Sequence, residues 1–229
     1  MTNTVRWYER QRSGWLNTAT LAIGSAALAT GICYDGHAYW ITDQTSDTVE
    51  CWILEAGAFY QVASLSLPSP YKDPWGVATD GMDLWVGVLY DVAGPPISNY
   101  TVLVKMDKRG NVLCERDRRD ANIYTDEELD WNGQHLLRSY TINSAPLQYR
   151  ADQVVPDLGK PLIGAAQGRR IEAMTTDLNH LAEVVEVAGT HRGITYDHQA
   201  HAVSLLSVLG VEAYSATFVG HQLAAIFRA

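Results

Sequence analysis

Three cysteines in 229 residues are too few and too irregularly placed for a disulfide framework. Cys33, Cys51 and Cys114 show no CxxC spacing. Cys33 and Cys51 fall within apolar strand patterns, where small buried thiols are common. A reducing compartment is the simplest reading. Positive charge is also short: 17 Lys and Arg stand against 26 Asp and Glu, a formal net charge of -9. Nucleic acid and anionic membranes both need a basic face, so neither is an expected partner. No apolar run reaches the length of about 18 residues that a membrane-spanning helix needs. The opening MTNTVRWYERQRSGW carries charges where a signal peptide needs an apolar stretch. A cytoplasmic protein is therefore expected, and the Asn99-Tyr100-Thr101 glycosylation pattern is read as chance.

Familiar catalytic signatures are missing too. There is no HExxH, P-loop, GxGxxG or GxSxG elbow. The seven histidines are scattered. The nearest group is His191, His198 and His201, and in an alternating strand His198 and His201 point to opposite faces. No metal and no cofactor is expected.

What the chain does have is a repeat. Five segments share a short strand, a tight turn and a second strand: Ile32–Thr42 (ICYDGHAYWIT), Val77–Gly87 (VATDGMDLWVG), Leu129–Ser139 (LDWNGQHLLRS), Met174–Val185 (MTTDLNHLAEVV) and Ala216–Ile226 (ATFVGHQLAAI). Their turn residues are Gly36, Gly81, Gly133, Asn179 and Gly220. Asp-Gly and Asn-Gly supply the positive φ that two-residue hairpins require, and Asn tolerates it. A second strand–turn–strand unit falls between these, in Thr48–Leu67, Thr101–Glu115, Pro146–Ile163 and His191–Leu206. Its fifth copy stands at the head of the chain, in Thr4–Leu21. The chain thus starts with the third and fourth strands of a unit and ends with the first and second. A linear array would leave two half-sheets with bare edges, which invite aggregation; closing the ring pairs them.

A period of roughly 46 residues with four short strands fits β-propeller blades. The expected fold is all-β: a five-bladed β-propeller with four-stranded blades, closed by head and tail strands in a common blade, with residues 1–229 as one domain. Asp35-Gly36 followed by Tyr39-Trp40-Ile41, and Asp80-Gly81 followed by Leu84-Trp85-Val86, resemble the repeat of NHL-type and YVTN-type propeller proteins. In those a strand ending in Asp-Gly precedes an aromatic-aliphatic strand. The last three units depart from that pattern, so the resemblance implies a fold and little about activity.

In such a blade, strands A to D run outward. The A–B and C–D turns share one face; the B–C and D–A loops share the other. The second set is longer and more varied here, and binding residues favour loops on a rigid scaffold. Expected ligand-binding residues are Tyr71, Lys72, Asp73, Trp75, Tyr100, Tyr124 and Arg170, within a loop set that also offers Asp43, Asp47, Tyr90 and Asp91. Rings with carboxylates suit a protein or carbohydrate partner. The turn aspartates, Asp35 and Asp80, are expected to accept backbone N–H bonds. Trp40, Trp85 and Leu137 recur at one strand position and are expected to pack between blades. The expected function is a non-enzymatic binding or assembly module, in the cytoplasm or in a viral particle assembled there. The alternative is a glycan-active hydrolase with two channel carboxylates acting as acid and base; Asp73, Glu127 (or Glu128) and Glu172 are its candidates.

Overall fold

The computed structural model describes residues 3–11, 14–23, 28–56, 58–91, 100–121, 124–131, 136–142, 148–154, 170–176, 180–187, 190–197, 202–208, 213–219 and 222–228, with side chains over 28–56, 58–91 and 100–116 and at scattered strand positions. Among these residues every regular element is a strand, and no helix is long and apolar enough to cross a membrane.

Strands β1 (Asn3–Gln11) and β2 (Gly14–Ile23) open the chain. Strands β3 (Ala29–Tyr34), β4 (Tyr39–Asp43), β5 (Thr48–Glu55) and β6 (Ala58–Ser66) form the first sheet. The second holds β7 (Tyr71–Lys72), β8 (Val77–Thr79), β9 (Leu84–Tyr90), β10 (Tyr100–Met106) and β11 (Val112–Asp120). The third has β12 (Tyr124–Trp131), β13 (Leu136–Ile142) and β14 (Gln148–Val154) among the described residues. The fourth has β15 (Arg170–Thr176), β16 (His180–Val187), β17 (Thr190–Asp197) and β18 (Ala202–Val208). Strands β19 (Ala213–Val219) and β20 (Gln222–Arg228) join the head strands in the order β19-β20-β1-β2, with β1 antiparallel to β20 from Asn3↔Arg228 to Glu9↔Gln222. The innermost strands touch in a cycle: β3 meets β8, β8 meets β12, β12 meets β15, β15 meets β19, and β19 meets β3.

Alternation along the strands explains the packing. On β3, Cys33 enters one core and Ile32 another; on β4, Trp40 joins the first and Tyr39 and Ile41 the second. The core around Trp40 runs on into Val77, Val86, Val88, Val102, Val104 and Met106 of the second sheet. The core around Ile32 takes Val5 from β1. On the far face of the second sheet, Ala78 and Leu103 pack with Leu129 and Leu136 of the third, and Trp85 leans against them. A sheet buried on both faces needs near-continuous apolar strands, as VLVKM and LWVGVLY are. Trp40 and Trp85 therefore lie at seams between sheets, while the Leu137 side chain lies outside the described residues.

The turn aspartates have the structural role expected of them. Asp35 Oδ1 accepts the His37 and Ala38 N–H groups at 2.9 and 2.8 Å, and Asp80 Oδ1 accepts those of Met82 and Asp83 at 3.0 and 2.8 Å. Gly36 and Gly81 follow them at φ +94° and +92°. Asp35 Oδ2 also accepts from Trp40 Nε1 and from Lys108 Nζ of the second sheet, at 2.9 and 2.7 Å. Burial alone raises the Asp35 pKa, but these donors outweigh it and hold the carboxyl at about 2. The turns at Gly133, Asn179 and Gly220 lie outside the described residues.

The innermost strands share a further feature, a break in register at one position. The ladder slips at Thr30 in β3, Glu127 in β12, Glu172 in β15 and Tyr214 in β19. In the second sheet the same strand is split into β7 and β8, and Trp75, in the gap, stands as far from Gly81 as Thr30 does from Gly36. Such bulges bend a strand and re-aim its side chains.

Candidate functional site

The loop between β6 and β7 folds back because its backbone is held at several points. Leu67 N–H donates to Asp47 O at 2.9 Å, Tyr71 N–H to Pro68 O at 3.0 Å, and Asp91 N–H to Pro70 O at 3.1 Å. Asp73 N–H donates to Asp47 Oδ1 at 2.6 Å, which ties this loop to the β4–β5 turn. Asp47 and Asp73 both adopt left-handed backbone, at φ 53° and 47°. Aspartate tolerates that region better than most residues. The β4–β5 turn is itself fastened by buried Asp43, whose carboxylate accepts from Leu28 N, Thr45 N and Ser46 Oγ at 2.7, 2.9 and 2.7 Å. Asp43 is thus committed to structure rather than offered to a ligand.

These constraints leave a cleft of about 440 Å³ lined by Asp47, Leu67, Ser69, Pro70, Tyr71, Lys72 and Asp91. It opens where the B–C and D–A loops of the first and second sheets meet. Lys72 Nζ pairs with Asp91 Oδ2 at 2.7 Å, and this bond holds its pKa above the usual lysine value. Asp73 adjoins the cleft; burial, and then the charge of Asp47, push its carboxyl pKa up against the opposing pull of Lys72.

One wall is the Tyr71 ring, which two further tyrosines of the same sheet support. In the ladder of the second sheet Tyr90 pairs with Tyr71 on one side and with Tyr100 on the other. The Tyr71 and Tyr90 rings meet edge to face, with centroids 5.7 Å apart. The Tyr71 hydroxyl donates to Glu115 Oε1 across the sheet. All three rings are partly buried against the Trp40 core, so the wall is fixed by packing.

Of the expected set, Tyr71 and Lys72 line the cleft, Asp73 adjoins it through Asp47, and Tyr100 stands beyond Tyr90 in the sheet behind Tyr71. Trp75 stands apart from the cleft: its carbonyl accepts the Thr42 hydroxyl at 2.5 Å, at the seam between sheets. Tyr124 and Arg170 begin β12 and β15, and Glu127 and Glu172 are the bulge residues of those strands. The side chains of these four lie outside the described residues. Asp73 does not share the bulge position of the two glutamates; Trp75 does. Sequence reading passed over Leu67 and Glu115, which alternate as ordinary strand residues and carry no mark of their role. Among the described residues, no group of three or more His, Cys, Asp or Glu side chains is placed to share a metal ion.

Radial sheets with touching inner strands and cores in the seams define the class: the chain has a β-propeller fold. Solved structures bear this out. A chain of the nidogen/laminin complex superposes with a TM-score of 0.59 at 15% identity, over 97% of this chain and 84% of that one. A TolB-type protein of Agrobacterium tumefaciens gives 0.54 at 11% identity, over 99% and 98%. Glutaminyl cyclase of Myxococcus xanthus gives 0.51 at 12% identity, over 88% and 90%. At such identities the fold is what is shared. No protein-family model matches the chain, and no curated protein matches it in sequence.

Proposed function

We propose that residues 1–229 form one closed ring of five blades that works as a non-enzymatic binding module, holding a protein partner in the loop-face cleft at Tyr71, Lys72 and Asp91. The ring reading is supported by the cyclic contacts of β3, β8, β12, β15 and β19 and by the pairing of β1 with β20. The binding reading is carried by one observation: a cleft with a packed tyrosine wall and an exposed ion pair at its lip, built on loops that the scaffold fastens. A chain of this fold takes part in the nidogen/laminin complex, so such a ring can serve as one member of a protein assembly. The expected test is affinity capture followed by mass spectrometry, comparing wild type with Tyr71→Ala and with Lys72→Ala/Asp91→Ala, alongside a glycan array. A protein held by wild type and lost from both variants supports the reading. Equal capture by all three overturns it, and a carbohydrate signal that tracks the variants moves the ligand class to glycan.

A second reading has its own observation. Glu127 and Glu172 occupy the same bulge position on neighbouring inner strands, β12 and β15, a placement in which two carboxylates could serve glycoside hydrolysis. Cleavage of any member of a glycan panel, abolished by Glu127→Gln and Glu172→Gln, would put the hydrolase in place of the binding module.

A further inference from the structure

We propose that the cleft between the first and second sheets docks an extended peptide segment of the partner that carries an arginine, and this rests on the binding-module reading above. The cleft has two kinds of surface. Leu67, Pro70 and the Tyr71 ring give an apolar wall, with Tyr71 held from behind by Tyr90 and at its hydroxyl by Glu115. The lip is charged: among the described residues that line it, Asp47 and Asp91 stand against one cation, Lys72. Asp73 adds a third carboxylate, joined to Asp47 through its own amide. An anionic ligand seeking Lys72 would have to approach against Asp91, 2.7 Å from the ammonium, and against two further carboxylates.

A cationic group meets the opposite balance. An arginine stem can lie along an apolar wall while its head stays at the polar lip. The planar guanidinium stacks on aromatic faces and grips carboxylates through two parallel bonds, which an ammonium cannot do. The cleft volume, about 440 Å³, lies within the roughly 300–1,000 Å³ typical of ligand clefts. The whole chain carries a net charge of -9, so steering of a basic segment extends beyond contact range.

The test uses three labelled heptapeptides, identical except for a central Arg, Lys or Glu, titrated against the full chain by fluorescence anisotropy. The Arg peptide should bind at least about tenfold tighter than the Glu peptide, with Lys between them. Its affinity should fall as salt rises, because the lip is exposed to screening. Asp91→Lys should narrow or invert the Arg–Glu preference, and thermal melts confirm that this exposed substitution leaves the fold intact. Equal binding of Arg and Glu peptides, no binding of either, or indifference to salt overturns the arginine assignment. If the partner is nevertheless captured by wild type and lost from the cleft variants, the binding module stands and only the ligand chemistry falls. If the cleft variants still capture the partner, both fall.

Discussion

Replacing Gly31 by alanine probes the seam between the first two sheets. A Cβ at this position would lie 2.3 Å from the Trp75 carbonyl oxygen and 2.9 Å from both Gly76 Cα and Thr42 Oγ1. Carbon–oxygen contacts are comfortable at about 3.3–3.6 Å, so the methyl overlaps the neighbouring backbone by about 1 Å. The backbone cannot rotate aside as a long side chain would, so β3 and the Asp73–Gly76 segment must separate. Overpacking of this kind costs about 1–3 kcal/mol. Separation also stretches two bonds at the seam, the part-buried Thr42 Oγ1 to Trp75 O at 2.5 Å and the buried Thr30 Oγ1 to Pro74 O at 2.8 Å. At about 1 kcal/mol each, the total reaches about 3–5 kcal/mol. That is a large share of the roughly 5–15 kcal/mol that holds a typical domain. Urea unfolding of wild type and Gly31→Ala, with equal m-values, measures it. Gly36→Ala is the control: it has positive φ but nothing within 4 Å of its Cβ, so only backbone strain of about 1–2 kcal/mol applies. A Gly31→Ala loss below about 0.5 kcal/mol would refute the close approach of the two sheets.

Asp43→Ala should cost about 2–4 kcal/mol, because it orphans two amides and a hydroxyl around the β4–β5 turn; a thermal melt within a degree of wild type would contradict that. Asp35 has a folded pKa of about 2 against an ordinary 3.8, so its contribution is full above pH about 4 and fades as pH falls towards 2. Allowing for partial solvent screening this amounts to about 1–2 kcal/mol. Asp35→Asn should be less stable than wild type at neutral pH, and the gap should close by pH about 2; a gap independent of pH contradicts the assignment. Deleting residues 1–23 strips β1 and β2 from the sheet they share with β19 and β20. Loss of cooperative unfolding or aggregation is expected, and a monomer as stable as wild type would count against ring closure.

The repeat was legible because hairpin turns carry a chemical mark. Asp35-Gly36 and Asp80-Gly81 announce a positive φ and an aspartate that caps its own turn, and both are found so. The two-sided burial of β9 and β10 matches their near-continuous apolar sequences, LWVGVLY and VLVKM. The bulges did not show. Thr30, Glu127, Glu172 and Tyr214 have nothing chemical in common, since a bulge is a slip between two ladders rather than a residue preference. The cleft was half visible: Tyr71 and Lys72 stood out as loop aromatics and charges. Leu67 and Glu115 did not, because their roles come from contacts 20 or more residues away in sequence, as with Leu67 and Asp47 or Glu115 and Tyr71.

Ring closure itself is tested most directly by a disulfide across the joint between head and tail. Arg6 and Ala225 face each other in the β1–β20 ladder. Opposed Cα atoms in antiparallel strands lie about 4.5–5.5 Å apart, within the reach of a disulfide at about 4.4–6.8 Å. In the folded Arg6→Cys/Ala225→Cys variant, mild oxidation should link the two positions nearly completely, as mapped by peptide mass spectrometry. Thiols that stay free at both positions while the protein remains folded would show that the ends do not share a sheet.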